Sequence, residues 1–487
     1  MSLEPKEPAV GNRPGDPACP GWLLRLDDPA PTSVLFIGTP DPSAASWFRD
    51  RSAQVDASGY GDALPAPPPL VVLDEVASAR GPDLRDPTWL AGVGAVVLAC
   101  EPSDAWAAAL AAAGLGTIRP VDPPRRRLAG RRPAGRAHVA VRTLPGTVTP
   151  LAGPPPAWLA RVVADASPEV SCASWSLRVP SAYPSQKAVA LVGTSAGGDR
   201  DLAVKVTRHP RFNERLENEA EVLGVLRQRG GEVATRIAFV RGTALVAGMA
   251  AIVQDAIAGH PFIERSSLVA NCPIAADAVR AITDLGAATH YLPTRPSSSA
   301  AGGDGAMGGL PGLVATFVDQ QQPPASTAAF LEEQVAMLLA EPPPTVAFHG
   351  DLGAWNLLVD QDDRVRILDW ESAELHGPPL WDLYYFLRSF AVRSGRRRGL
   401  DRSRAIGRHL LGSSPIAHQA AAWVGAYCQR LGIAPQLAEP LFHTCWMHRA
   451  VKERRRLHDG EPGHYGQLCL RMVEHRDAPG LRRLTAR

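Results

Sequence analysis

Two apolar runs, each ending in an acid, constrain this chain more than any other feature. The first is Val346-Ala347-Phe348-His349-Gly350-Asp351, continued by Leu352-Gly353-Ala354-Trp355-Asn356 and the apolar Leu357-Leu358-Val359; the second is Ile367-Leu368-Asp369-Trp370-Glu371. The pattern predicts a short strand that delivers Asp351 onto a tight loop, a return at Asn356, and a further strand that carries Asp369 back to the same place. Three such side chains in one pocket suit phosphoryl transfer. One carboxylate, Asp351, accepts the proton of an acceptor hydroxyl, and the oxygens of Asn356 and Asp369 hold Mg²⁺ against phosphates. An ordinary hairpin with a solvated Asp and Asn would explain a lone His-Gly-Asp, but not the loop, its spacing, the flanking strands and the second acid together.

The same residues resemble the catalytic loop of the aminoglycoside phosphotransferase and choline kinase family, small-molecule kinases with a protein-kinase-like fold. His-Gly-Asp, four residues and Asn stand at His349 to Asn356, and Asp369-Trp370-Glu371 is similar to the Asp-Trp-Glu of the small-molecule branch. The resemblance implies an α+β two-lobed kinase fold, ATP as phosphoryl donor, Mg²⁺, and a small-molecule acceptor such as an aminoglycoside, amino alcohol or sugar. It also implies that His349 fixes loop geometry and transfers no proton.

A kinase fold needs a lysine on an upstream strand and a glutamate on the helix that follows. Leu202-Ala203-Val204-Lys205-Val206 puts Lys205 in a β-compatible apolar run, where a charge needs an ionic partner or a phosphate. Lys205 resembles the family's phosphate-binding lysine; an edge-strand lysine is the plainer alternative. The helical stretch Asn213–Arg229 offers Glu219 as its partner, with Leu223 and Leu226 on the same face. Glu217 and Glu221 compete for that role, since acids at a helix start also complement its dipole. Downstream, residues 250–259 resemble the strand and hinge joining the lobes, so Gln254 to Ile257 would meet adenine through their main chain. The phosphate-covering loop falls on residues 179–187, which hold no glycine. Ser181 and Ser185 could donate hydroxyls there instead, while Gly193, Gly197 and Gly198 lie in the next hairpin.

Residues 377–383, Gly-Pro-Pro-Leu-Trp-Asp-Leu, resemble the family's segment opening a helix, and Asp382 reads as a structural acid bonding nearby backbone amides. His443 and His448, at i and i+5, do not share a helix face and read as core or surface residues rather than metal ligands. The charge runs at 125–132, 396–398 and 452–456 read as solvated faces.

The length of 487 residues implies more than one domain. Residues 33–143 alternate apolar runs at 34–37, 70–73 and 96–99 with helical stretches such as 104–113, the signature of a Rossmann-like α/β sheet. Its first turn has Gly38 but prolines at 40 and 42, so a dinucleotide or S-adenosylmethionine cradle is not expected there. The expected organisation is a flexible N-terminus (1–30), an accessory α/β domain (31–150), a linker (151–169), a kinase N-lobe with hinge (170–262) and a C-lobe (263–487). Residues 296–312, rich in Ser and Gly, are expected as a loop of the C-lobe.

A net charge of +2, from 51 basic and 49 acidic residues, offers no global field for nucleic acid. No run approaches the length of a membrane helix, and seven scattered cysteines read as reduced thiols of a cytoplasmic protein. Glu371 and Glu374 would favour a cationic amino sugar or amino alcohol as acceptor. The rival reading is a nucleotide-binding pseudokinase whose degenerate, methyltransferase-like N-terminal domain recruits a partner.

Overall fold

A computed structural model of the chain describes residues 155–178, 187–193, 201–290, 309–454 and 463–485, together with six strands between residues 33 and 141. It divides into two compact units, residues 1–217 with 240–256, and residues 218–239 with 257–487.

The first unit holds two sheets. One contains β1 (Ser33–Ile37), β2 (Gln54–Ser58), β3 (Leu70–Leu73), β4 (Ala95–Leu98), β5 (Thr117–Val121) and β6 (Ala137–Val141), in the order β2-β1-β3-β4-β6-β5. Its first four strands are parallel, and β6 runs antiparallel to β4 and β5. The turn at Gly38 and the helix expected over 104–113 lie outside the described residues. The other sheet is antiparallel, in the order β10-β11-β9-β8-β7, from β7 (Ser174–Arg178), β8 (Ala188–Gly193), β9 (Leu202–Val206), β10 (Val240–Val246) and β11 (Met249–Asp255). Lys205 is therefore on a central strand, with every residue of β9 buried, and the edge-strand reading fails.

The expected linker over 151–169 needs correction. It contains helix α1 (Ala157–Ala166), which buries Trp158, Leu159, Val162 and Val163. These form one apolar stripe at helical spacing, and the prolines immediately before it hid that signal in the sequence. The stripe enters a core shared with Val192, Val204 and Val253 of the second sheet and with Val34 and Leu70 of the first.

The second unit is mostly helical. It takes the greater part of α2 (Asn213–Arg229), then α3 (Gly231–Thr235), α4 (Phe262–Arg265), α5 (Pro273–Thr289), α6 (Leu310–Gln321) and α7 (Ala325–Ala340). After the small strands come α8 (Trp381–Arg397), α9 (Arg402–Ile406), α10 (Pro415–Leu431), α11 (Ala438–Arg454), α12 (His464–Glu474) and α13 (Pro479–Leu484). The loop expected over 296–312 lies outside the described residues as far as 308. No helix among the described residues is long and apolar enough to cross a membrane.

Two short antiparallel pairings frame the predicted loop. Strand β13 (Val346–Phe348) pairs with β16 (Glu374–Gly377), and β14 (Leu357–Val359) lies between β12 (His260–Pro261) and β15 (Val365–Ile367). A buried ion pair fixes β15. Arg236 donates to both carboxylate oxygens of Asp277, at 2.7 and 3.0 Å, and to the Val365 carbonyl at 3.0 Å. Asp277 in turn accepts the Val365 amide at 2.7 Å. Burial alone would raise the Asp277 carboxyl, but the bonds from Arg236, Val365 and Arg280 outweigh it and hold the group below the ordinary carboxylate value.

Removing one member of a buried pair strands the other's charge. Arg236→Met is thus expected to lower unfolding free energy by roughly 3–5 kcal/mol, read as an earlier denaturant midpoint of the C-terminal unit. Because the native Asp277 carboxyl lies low, its stabilisation is present above the ordinary carboxylate pKa and is lost as pH falls through the native value. The wild type should therefore show an acid-dependent loss of stability that Asp277→Asn flattens.

Candidate active site

The loop between β13 and β14 is held by side chains distant in sequence. Gly350 has φ +73°, and a Cβ there would come within 2.2 Å of the Ser372 carbonyl oxygen, so the turn into Asp351 requires glycine. The Asp351 amide donates to His349 Nδ1 at 3.2 Å, which leaves Nε2 to carry the proton and donate to the Leu368 carbonyl at 2.7 Å. His349 is fully buried and packs 4.8 Å from Trp370, centre to centre. It thus ties the Asp351 loop to the segment bearing Asp369 and is enclosed on all sides, in keeping with a geometric role.

Asp382, at the first turn of α8, accepts the backbone amides of His349 at 2.5 Å and Gly350 at 3.2 Å. The sequence reading placed this acid on nearby amides; its partners instead lie more than thirty residues upstream. Burial pushes its carboxyl above the ordinary value, with the two amide bonds opposing. Two turns further along α8, Ser389 Oγ accepts the Ala354 amide at 3.0 Å and donates to the Phe386 carbonyl at 2.8 Å. One helix therefore secures both ends of the loop.

Asn356 and Asp369 meet at the open end of the β14–β15 ladder. The Leu368 amide donates to the Asn356 carbonyl at 2.9 Å, continuing the Leu357–Ile367 pairing by one step. Asn356 Nδ2 donates to the Asp351 carbonyl at 2.9 Å and approaches Asp351 Oδ2 at 3.4 Å. Its amide oxygen thereby turns away from Asp351. Asp369 is held at φ +73°, in a region that non-glycine residues seldom occupy. An amide oxygen and a carboxylate are hard donors of the type Mg²⁺ prefers, so the donor chemistry of Asn356 and Asp369 fits the expected ion. The loop brings Asn356 to Asp351, and the Leu368–Asn356 bond brings the segment that bears Asp369 alongside Asn356.

The charge environment of Asp351 was missed by sequence reasoning. Arg449 on α11 donates from Nη2 to Asp351 Oδ1 at 2.7 Å and from Nη1 to the Gly350 carbonyl at 2.6 Å. Its guanidinium also lies 3.8 Å from the centre of the Tyr385 ring and donates to the Tyr385 hydroxyl at 2.6 Å. Lys452, one turn on, donates to the same Gly350 carbonyl at 3.2 Å. Burial would raise the Asp351 carboxyl, but the Arg449 and Lys452 charges and the Arg449 bond overcome it and keep the group below the ordinary carboxylate range. The reading of 452–456 as a solvated face is thus corrected at Lys452. An arginine inside the apolar helical run Cys445-Trp446-Met447-His448-Arg449-Ala450-Val451 was the available signal, because a buried guanidinium demands partners.

The other expected residues are distributed between the two units. Lys205 and Gln254 belong to the first, both buried on its antiparallel sheet; Glu219 and Ile257 belong to the second, Glu219 fully buried on α2. Ser181 and Ser185 lie outside the described residues, in the connection between β7 and β8. Asn218, beside Glu219, donates to the Ala373 carbonyl at 3.0 Å and so anchors α2 to the turn after Asp369. His443 is buried against Phe330 and Phe442, and His448 stacks on Trp381 at 4.7 Å. Among the described residues no His, Cys, Asp and Glu side chains cluster as a metal site of three or more.

Solved structures similar to the chain include an aminoglycoside phosphotransferase from Streptomyces rimosus, 19% identical with a TM-score of 0.37, covering 61% of this chain and 97% of its own. A macrolide 2'-phosphotransferase from Brachybacterium faecium is 18% identical over 63% of this chain and 98% of its own, with a TM-score of 0.35. An ethanolamine kinase from Plasmodium vivax is 10% identical over 62% and 83%, with a TM-score of 0.39. No curated protein matches the sequence. The profile of the phosphotransferase enzyme family matches residues 185–438, just over half of the chain, spanning Lys205, the Asp351 loop, Asp369 and Asp382, and the chain belongs to that family.

Proposed function

We propose that this chain transfers the γ-phosphoryl group of ATP to a hydroxyl of a small molecule, with Asp351 orienting that hydroxyl and taking its proton. The observation that carries the reading is the common frame of Asp351, Asn356 and Asp369, tied together by His349, Asp382 and the β14–β15 ladder. Asp351 is positioned on one side by Arg449, while about a third of its side chain remains exposed to an incoming acceptor. In the transfer, the acceptor oxygen bonds to the γ-phosphorus as the bond to the β,γ-bridging oxygen breaks. ADP leaves with that electron pair, and the acceptor proton passes to Asp351. Phosphoryl transfer requires chiefly positioning and neutralisation of charge, and a carboxylate held ionised serves both orientation and proton acceptance.

Asn356 and Asp369 would hold Mg²⁺, which when bound neutralises phosphate charge. Following the family resemblance, Lys205 is assigned to the nucleotide phosphates, with Glu219 as its expected partner, and the main chain of Gln254 to Ile257 to adenine. Both assignments rest on the family resemblance and on the burial of a lysine in a central strand.

Three measurements test this assignment. Asp351→Asn should lower kcat by about 10²-fold or more with nucleotide affinity nearly intact, in line with general-base contributions; wild-type turnover would remove Asp351 from the mechanism. Asp369→Asn should shift the Mg²⁺ dependence of nucleotide binding to higher metal concentration, since a charged ligand becomes neutral. An unchanged midpoint in a metal titration would reassign the residue. Arg449→Met tests the electrostatics. Asp351 must be ionised to act, and Arg449 holds its carboxyl low. Losing that charge raises the carboxyl pKa, so the acid limb of kcat/KM should move to higher pH. A purely structural role would reduce the rate without moving the limb.

A further inference from the structure

Beside the catalytic loop the C-terminal unit opens a cavity of about 310 Å³, within the size range of small-ligand sites. Its walls include Trp355 from the loop itself and Tyr465 from α12; Arg388, Arg393 and Arg396 reach it from α8, and Arg402 from α9. Glu453 is its one acidic lining residue, and that carboxylate accepts the Tyr465 amide at 2.7 Å. Arg388 is 6% exposed; its Nη2 meets His464 Nε2 at 2.5 Å, and its Nε has no partner among the described residues. None of the four arginines pairs with a carboxylate among the described residues. The chain as a whole is close to neutral, so this concentration of cations is local.

Four guanidiniums around one cavity repel each other, and burying one without a counter-ion costs several kcal/mol. An oxyanion in the cavity removes both costs, because guanidinium forks match phosphate and carboxylate geometry. The cavity also adjoins the reacting centre. Tyr385 packs edge-on to Trp355 at 5.7 Å, shares a 2.9 Å hydrogen bond with the Tyr465 hydroxyl, and accepts the bond from the arginine that holds Asp351. One layer of side chains thus separates the cation cluster from the carboxylate that receives the acceptor hydroxyl. Trp355, 43% exposed, offers a face for a ring between the two.

We propose that this cavity binds an oxyanion group, phosphate or carboxylate, on the acceptor, so that the substrate is an anionic hydroxyl compound rather than the cationic amino sugar that Glu371 and Glu374 suggest. The substrate class rests on the phosphotransferase reading above; the cavity's affinity for anions does not. Burial, reinforced by the Arg402 and Arg449 charges, pushes the Arg388 guanidinium below its ordinary pKa, against the opposing effect of Tyr465 and Tyr385. His464 is pushed down to about 4 by burial and by Arg388 and Arg402, so it stays neutral and its Nε2 accepts the hydrogen bond donated by Arg388.

The full chain with ATP and Mg²⁺ is given sugar phosphates, sugar acids, neutral sugars and amino sugars, with products identified by mass spectrometry. Binding of ribose 5-phosphate and of gluconate is followed in parallel by calorimetry. The expected result is turnover on a phosphate or carboxylate arm, with the preferred arm identifying the anion. Arg393→Gln and Arg396→Gln, at half-buried and exposed positions that folding tolerates, should each raise KM for that acceptor roughly tenfold or more, as loss of a charge-assisted bond implies. The KM for ATP should stay unchanged. Turnover confined to neutral or amino sugars, or acceptor KM values indifferent to both variants, overturns the proposal and leaves the phosphotransferase reading intact. Anion binding weakened by both variants, with no turnover on any arm, supports the cavity assignment and sinks the phosphotransferase reading instead. Absence of both anion binding and turnover overturns both.

Discussion

The site depends on one carboxylate that takes no part in the chemistry. Asp382 accepts the amides of His349 and Gly350, two donors buried where no strand partner reaches them. An unsatisfied buried amide costs about as much as the whole net worth of several hydrogen bonds, so the loop keeps its shape only while this acid is present. With those amides fixed, Gly350 can hold its left-handed turn, His349 can bridge to Leu368, and Asp351 emerges at a defined place. Asn356 and Asp369 follow through the β14–β15 ladder, which the buried Arg236–Asp277 pair anchors from the other end.

What the sequence made legible follows from how local each interaction is. The apolar runs around Asp351 and Asp369 are short-range patterns; β13 and β14 formed where the first placed them, and β15 lies slightly earlier than the second, ending at its first residue, Ile367. The placement of Lys205 on a buried strand was readable because the run around it is apolar and β-compatible. The partners of Asp382 and Asp351 were not, because both contacts join elements more than thirty residues apart and neither leaves a periodic trace. The helix α1 was lost to a different cause. Its prolines lie immediately before the first turn, where they open a helix as readily as they mark a linker.

Charge runs illustrate the same limit. Composition alone assigns Arg396 and Lys452 to solvated faces, and for most exposed runs that is where such residues lie. The fold instead directs Lys452 to the Gly350 carbonyl, while Arg396 stays exposed as expected and also borders a cavity. The distinction depends on which helix face meets the catalytic loop, and only the packed helices determine that. For α11 the deciding residue is Arg449, whose surroundings in sequence are apolar and whose position one turn before Lys452 brings both cations to one carbonyl.

Helix α8 joins these threads, because a single regular element sets the spacing between orientation and recognition. Asp382, Tyr385 and Ser389 fall on one face, at intervals of three and four residues, and all three meet the loop or its arginine. Arg388 and Arg396, with Val392 between them at four-residue steps, form the neighbouring row and line the cavity together with Arg393. The acid stands at the N-terminal turn and the outermost arginine near the C-terminal turn, so each also complements the helix dipole at its own end. With a rise of about 1.5 Å per residue, the helix holds its first and last functional side chains roughly 20 Å apart. A substrate in contact with both Asp351 and the arginines is therefore measured against a rigid helix rather than a loop. That arrangement makes the position of an acceptor's charge relative to its hydroxyl a basis for selection.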